Sequence, residues 1–181
     1  MTAAVETGRS TRPESSEHVP FYATYIARVP NGDIVRQLTT QIADTNALLG
    51  SLSESQAAHR YAEGKWSIRE VVGHLCDAER VFTYRAMRFA RSDSTPVAGF
   101  DENHYVAHGR FDSRTLSNLA GEFRAVRAAT IAFFDALTND DWPRRGVANG
   151  NGITVRALAW ISAGHELHHV HILRTRYLNL A

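Results

Sequence analysis

Four long segments of the sequence carry apolar residues at a three- and four-residue spacing, and this pattern constrains the fold more than any other feature. The segments run from about residue 33 to 52, from 66 to 91, from 114 to 137 and from 154 to 178. Such spacing places the apolar side chains on one face of an α-helix. Four amphipathic helices of similar length bury those faces against one another, so the sequence predicts an all-α, antiparallel four-helix bundle.

The connections between the helices contain turn signals and one long stretch. Ser67 followed three residues later by Glu70 is a capping-box pattern that marks the start of the second helix. Asn151-Gly152 is expected to close a tight connection before the fourth helix. The stretch "SDSTPVAGFDENHYVAHGRFDS", residues 92–113, is predicted to be a long crossover loop, and loops of this length are usually functional or contain structure of their own.

The N-terminal part divides into a tail and an arm. Residues 1–18 are polar, lack the apolar core of a signal peptide and are predicted to form a flexible tail. The aromatic segment "FYATYIARVP" that follows is too apolar for a free tail and is expected to pack as an arm on the bundle domain, residues 19–181. No uncharged apolar run approaches the roughly 20 residues that a membrane span needs.

Composition limits the possible partners and the compartment. The 181 residues suit one domain, and 20 Lys and Arg against 19 Asp and Glu leave a net charge of +1, which gives no electrostatic case for nucleic-acid binding. The single cysteine, Cys76, excludes an intrachain disulfide and favours a reducing, cytoplasmic location. Because Cys76 lies within a helical pattern without an activating neighbour, it is predicted to be a buried apolar residue rather than a nucleophile.

Four histidines lie within "AGHELHHVHIL", residues 163–173, in the fourth predicted helix. With each residue advancing about 100° around a helix, His169 lies about 40° from His165. The same arithmetic places the aliphatic residues Leu158, Ile161 and Ile172 around them. His165 and His169 are therefore predicted to face the core, one turn apart, where both rings can reach one metal ion.

The other residues of this segment point elsewhere. His168 lies at the edge of the apolar face and His171 lies nearly opposite it. "HELHH" satisfies the HExxH pattern of zinc proteases, but the third-ligand motif or Met-turn of those enzymes does not follow. Glu166 also points about 100° away from His165. The pattern is therefore interpreted as two helical metal ligands without a protease site.

His74 in "VVGHLCDAER" supplies a third imidazole on the apolar face of the second helix, and the small residues Gly73 and Ala78 leave space beside it. A single core histidine is best explained by hydrogen bonding alone. Three imidazoles entering one core cost several kcal/mol unless each finds a partner, and a divalent ion satisfies all three together. The sequence thus predicts a metal site formed by His74, His165 and His169.

Three blocks of sequence, in this order, resemble the DinB/YfiT-like superfamily: "EGKWSIREVVGHLCDAERVFTYRAMRFAR", "PVAGFDENHYV" and "AGHELHHVHILRTRYL". The resemblance extends from the "FYATYIARVP" arm to the C-terminus. It implies a four-helix bundle, commonly a homodimer, in which three histidines hold a divalent ion such as Zn²⁺ or Ni²⁺. The positions that match the ligands of the family are His74, His165 and His169.

The resemblance also implies several activities: thiol S-transfer with bacillithiol or mycothiol, mycothiol-dependent isomerisation, and metal-dependent hydrolysis. Three neutral histidines leave an open coordination position, which is typical of catalytic rather than structural zinc. We therefore expect a metal-dependent S-transferase or hydrolase acting on a small molecule, possible substrates including a low-molecular-weight thiol. The alternative is a non-catalytic metal- or ligand-binding bundle of a stress response, which a fourth ligand such as His104 or His168 would favour.

Further residues are candidates for supporting roles. Asp77 and Glu166 are candidates to orient the ligand rings, although a residue of this kind is more often simply a solvated helix residue. Asp101 and Tyr105, in the crossover with His104, are candidates to cover the metal and to act as general acid or base.

The crossover and Arg85 each have an alternative interpretation. The crossover can instead be a packed connection held by Phe100 and Tyr105. Arg85 lies about 20° from the direction of His74 and three turns along, where it is a candidate to bind an anionic substrate. An exposed arginine in a salt bridge is the alternative for that position. Trp66 and Trp160 are expected to be core and cap residues.

Overall fold

Seven helices and one two-stranded sheet make up the part of the chain that the structure, a computed structural model, describes: residues 8–180. The elements are α1 (Pro20–Ile26), α2 (Ile34–Gly50), α3 (Glu54–Ala57), α4 (Ile68–Ala90), α5 (Glu102–Gly109), α6 (Leu116–Asp135), β1 (Arg145–Ala148), β2 (Asn151–Thr154) and α7 (Val155–Ile172). One π-helical turn, Leu173–Tyr177, continues α7.

The four long helices α2, α4, α6 and α7 form the predicted four-helix bundle. Helix α4 packs against α6 and α7, and α2 packs against the same two helices. The consecutive long helices α2 and α4 are therefore diagonal partners. This arrangement makes α4 and α7, which carry the predicted metal ligands, direct neighbours.

The start of α4 is fixed by the predicted capping box. The Ser67 hydroxyl accepts a hydrogen bond from the Glu70 N–H at 3.1 Å, and the Glu70 carboxylate accepts one from the Ser67 N–H at 2.8 Å. These bonds satisfy backbone donors that no helical carbonyl can reach. The first residue of α4 is therefore set by local chemistry.

The crossover between α4 and α6 is partly helical, since it contains α5 and a short 3₁₀ turn, Phe111–Ser113. Phe111 is buried, and its ring fills the space beside Gly73. A methyl group at Gly73 would overlap that ring. The space that the sequence suggested beside His74 at Gly73 is thus occupied by the crossover.

A small β-hairpin precedes α7, although the sequence shows little strand pattern. Asn149 (φ 50°) and Gly150 (φ 73°) adopt the left-handed conformation that a two-residue hairpin turn requires. The predicted turn at Asn151-Gly152 is wrong by one Asn-Gly pair, because Ala148 pairs with Asn151, which begins β2. Val97 of the crossover bonds to this hairpin.

Residues 8–18 lie against the bundle, unlike the flexible tail expected for residues 1–18. Arg9 forms an ion pair with Asp33 at 2.7 Å, and Arg12 donates to the carbonyls of Ile26 and Val29. Glu17 is buried beside Arg156, with which it forms an ion pair. Polar composition suggested a free segment, but its charged groups find partners on the helices. Residues 1–7 lie outside the described residues.

The predicted arm is helix α1, which packs on α7. Gly164 of α7 permits this contact, because the Tyr25 carbonyl lies where a Cβ atom would be. Ile26 is buried, whereas Phe21 is exposed. None of the helices in residues 8–180 is both long and apolar enough to cross a membrane.

Gly164→Ala should displace α1 from α7, because its methyl group would overlap the backbone of Tyr25, which cannot rotate away. We expect a loss of about 1–3 kcal/mol in the free energy of unfolding, measured by urea denaturation with circular dichroism. Gly121→Ala in α6 is the control, since only the flexible end of Arg124 lies near the added methyl. It should gain about 0.5–1 kcal/mol. Equal stability of the two variants would contradict the close contact.

Candidate metal centre

Three histidine side chains converge between α4 and α7. His74 comes from α4, and His165 and His169 come from successive turns of α7. One ring nitrogen of each lies within 4.8 Å of the other two, and the Nε2 atoms of His74 and His165 are 3.0 Å apart. The structure thus brings together the three residues that the sequence singled out.

The surroundings keep the three rings neutral. Burial lowers the pKa of His74 to about 4. Burial also lowers the pKa of His165 and of His169 well below the usual value, and the neighbouring histidines lower both further. A neutral imidazole has one nitrogen with a free lone pair, which is the form that binds a metal. Three such rings, without a carboxylate among them, fit a divalent ion that prefers nitrogen ligands.

The two candidate fourth ligands do not join this group. His104 lies on the exposed helix α5, where its ring contacts His108 at 4.2 Å between centroids. His168 is half-buried, and its ring lies against Tyr25 at 5.2 Å. His171 is exposed, as the helical angle predicts. Among the described residues the cluster therefore has three imidazoles.

A cavity of about 390 Å³ opens onto the histidines. Aromatic rings surround the imidazoles: Trp66 lies 4.8 Å from His74, and Tyr25 and Phe82 lie 5.4 and 5.5 Å from His165, between ring centroids. The cavity is also lined by Val19, Phe21, Tyr22, Arg85, Phe100, Glu102, Asn149 and Asn151.

The structure does not bring Asp101 and Tyr105 to this cavity. The Asp101 carboxylate caps α5 by accepting from the backbone N–H groups of Asn103 and His104 at 2.9 and 3.1 Å. Tyr105 is 43% exposed, with its ring 5.2 Å from Phe100. The positions of Asp101 and Tyr105 fit the alternative in which the crossover is a packed connection. The crossover residues that line the cavity include Phe100 and Glu102 instead.

Neither Asp77 nor Glu166 hydrogen-bonds to a ring of the cluster. Asp77 faces Arg80, at 3.6 Å. Glu166 is buried rather than solvated, because the flank of α7 to which it points packs on α2. It accepts hydrogen bonds from Gln41 and, at 2.6 Å, from Thr45.

Glu166 belongs to a buried ion network that joins three helices. Arg127 of α6 forms two parallel hydrogen bonds to Glu79 of α4, at 2.7 and 2.6 Å, and an ion pair with Glu166 of α7 at 2.6 Å. Burial alone would lower the pKa of Arg127, but the two carboxylates raise it above its usual value. The network fixes the backbone next to His165.

Two further predictions concern Arg85 and Cys76. Arg85 is 3% exposed and lies in the cavity wall, so the alternative of an exposed salt bridge is wrong. Cys76 is buried, as predicted, and burial raises the pKa of its thiol to about 12. A thiol that stays protonated is a poor nucleophile or ligand.

Several residues of the cavity were missed or given another role. The sequence identified the aromatic arm, but not that Tyr22 and Tyr25 of α1 would cover the histidines. Trp66, expected in the core or at a cap, lines the cavity beside His74. Asn149 and Asn151 come from a hairpin whose strands carry no clear pattern. The spacing of Tyr22 and Tyr25 on one face of α1 was the available signal.

The fold and the site define the class of this protein. It is a helical bundle with a candidate metal centre, in which two neighbouring helices supply three clustered histidines. The family model described as the DinB superfamily matches residues 37–173. The chain belongs to the DinB superfamily, and the resemblance seen in the sequence is confirmed.

Relatives agree with this assignment. A protein of Bacillus licheniformis, provisionally named a metal-dependent hydrolase, is 30% identical over 66% of this chain and 69% of its own. One of Oceanobacillus iheyensis with the same provisional name is 23% identical over 75% and 79%. The solved structure of YfiT from Bacillus subtilis, a four-helix bundle of unusual topology, superposes with a TM-score of 0.71 at 19% identity, covering 95% of both chains. A mycothiol-dependent maleylpyruvate isomerase superposes with a TM-score of 0.62 at 13% identity, over 76% of this chain and 58% of its own.

Arg127→Met should destabilise the protein, because it leaves Glu79 and Glu166 buried without a counter-ion. We expect a loss of about 3–5 kcal/mol in the free energy of unfolding, measured by urea denaturation. Arg124→Met, at an exposed position of the same helix, is the control and should change stability by no more than about 0.5 kcal/mol. A similar small change in both variants would show that the network does not hold the helices together.

Proposed function

We propose that this protein is a metal-dependent enzyme that acts on a small molecule, with one divalent ion held by His74, His165 and His169. The observation that carries the proposal is the convergence of three neutral imidazole nitrogens within 4.8 Å at the wall of a cavity. The provisional names of the relatives as metal-dependent hydrolases support it.

The residues of the cluster suit zinc or nickel, since imidazole is a ligand common to both ions. A divalent ion with three histidine ligands and an open position lowers the pKa of a bound water or thiol toward neutrality. The burial of His74 and His165 keeps their lone pairs free of protons at neutral pH. The absence of a fourth imidazole or carboxylate from the cluster, within residues 8–180, favours an enzyme over a non-catalytic binding bundle.

The residues around the cluster hold the imidazoles in place and border them with aromatic rings. Trp66, Tyr25 and Phe82 border the imidazoles, so a substrate in the cavity meets aromatic rings beside them. A cavity of about 390 Å³ is of the size that takes a small molecule rather than a polymer. The network of Arg127 holds α7 and so limits the movement of His165.

Hydrolysis is the reaction that we favour, because both sequence relatives carry that provisional name. Transfer of a low-molecular-weight thiol is the second candidate, favoured by the structural likeness to a mycothiol-dependent isomerase. The two differ in whether water or a thiol attacks the substrate.

The purified protein should carry about one divalent ion per chain, and His74→Ala, His165→Ala and His169→Ala should each lose it, because two imidazoles bind such ions far more weakly. Elemental analysis by mass spectrometry measures the metal, and circular dichroism checks the fold of each variant. His171→Ala, an exposed histidine of the same helix, is the matched control and should keep the metal. Retention of metal by folded His74→Ala protein would exclude a ligand from α4.

Metal-loaded protein should cleave a small activated ester, p-nitrophenyl acetate, at least about tenfold faster than His74→Ala protein, since general-base or metal activation of water contributes this much or more. A parallel assay follows the conjugation of cysteine to an electrophilic bimane. Metal-dependent conjugation without ester cleavage would select thiol transfer instead. Rates that are equal with and without His74 in both assays would contradict the enzymatic proposal.

A further inference from the structure

Arg85 is a buried cation without a buried anion. Its side chain lies in α4, and the residue is 3% exposed. One Nη atom donates to the carbonyl of Ala98 at 3.1 Å, and the guanidinium carbon lies 5.9 Å from the centre of the Phe100 ring. The Nε atom is buried without a hydrogen-bond partner. Among the described residues no carboxylate comes within ion-pair distance of Arg85, although arginine keeps its charge in proteins.

The other fully buried arginine shows how this fold treats such a charge. Arg127 is 1% exposed, and Glu79 and Glu166 bind its guanidinium on two sides. Burial of a charge is unfavourable unless a counter-ion compensates it, and the protein provides two for Arg127. For Arg85 no described residue provides a counter-ion at ion-pair distance, which leaves a bound group to compensate the charge.

The position of Arg85 points to where that group binds. Arg85 lies in the wall of the same cavity as His74, His165 and His169, and it is the only lysine or arginine among the described residues that line it. On α4 it lies about three turns beyond His74, and helical side chains lean toward the N-terminus of their helix. Its guanidinium contacts the crossover at Ala98 and Phe100, and Phe100 lines the same cavity as the histidines.

The remaining walls describe the rest of the ligand. The cavity that Arg85 shares with the histidines is also bordered by the rings of Phe82, Phe100 and Tyr22. Such rings favour an apolar body. Glu102 also lines the cavity, and its negative charge disfavours a second anionic group. A single guanidinium suits a ligand with one negative charge.

We propose that Arg85 binds the carboxylate of an apolar organic acid and thereby orients it along the cavity toward the histidine cluster. The planar fork of arginine matches the two oxygens of a carboxylate. The inference rests on the proposed function only in taking the cavity as the substrate site, and it names the class of substrate: a monocarboxylate with an aromatic or aliphatic body.

The test compares two probes that differ in charge and hardly in shape, phenylacetate and phenylacetamide. Isothermal titration calorimetry at constant ionic strength should show that the wild-type protein binds phenylacetate at least about tenfold more tightly than phenylacetamide. Hydrogen bonds to a charged group contribute about this much to binding. Arg85→Met should lose this preference. Arg85→Lys, which keeps the charge and loses the fork, should retain part of it.

A matched control lies one turn further along the same helix. Arg88 pairs with Asp93 at 2.6 Å and does not line the cavity. Arg88→Met should therefore keep the full preference for phenylacetate. Phenyl phosphate is the third probe, and tighter binding of this dianion than of phenylacetate would overturn the assignment of a monocarboxylate.

Titration of chelator-treated protein and of His74→Ala separates this proposal from that of the metal. If Arg85 holds the carboxylate, both preparations keep the preference for phenylacetate. If the preference disappears with the metal, the carboxylate binds the ion and the role of Arg85 is wrong. Equal binding of phenylacetate and phenylacetamide by the wild-type protein, or binding of neither, would also overturn it. Absence of metal from the purified wild-type protein would contradict the proposed function and leave the arginine result intact.

Discussion

The contact between α4 and α7 is the interaction on which the rest of this structure depends. It brings His74 within 3.0 Å of His165, although 91 residues separate them in the chain. The same contact buries both rings, and burial lowers their pKa values and keeps them neutral. Interfaces between helices usually contain mainly aliphatic side chains. This one also contains three imidazole nitrogens with free lone pairs.

Helix α7 is buried along most of its first three turns, and its burial explains the polar network next to the histidines. It packs on α1, α2 and α4, so that all of residues 157–166 are buried. Glu166 on that flank needs a partner, and Arg127, Gln41 and Thr45 provide it. The carboxylate next to His165 thus serves to hold the helix and makes no hydrogen bond to the imidazole.

Periodicity and local chemistry were sufficient to predict the long helices and the N-cap of α4 at Ser67. They also predicted that His74, His165 and His169 face the core. These features depend on one helix at a time. The role of Glu166 and the covering of the histidines by Tyr25 depend on which faces meet, and helical angles do not provide that information. The turn at Asn149–Gly150 was missed because two Asn-Gly pairs follow each other, and only strand pairing selects between them. Arg85 was placed correctly near the site, but its burial without a carboxylate became visible only in three dimensions.

The imidazoles and the cavity walls come from different kinds of chain segment. The imidazoles lie on two core helices, whereas much of the wall comes from α1, the crossover and the hairpin that Val97 joins. Loops and terminal arms accept sequence change more readily than packed helices. Divergence in those segments can therefore reshape the chamber while the imidazole cluster at its base is inherited unchanged.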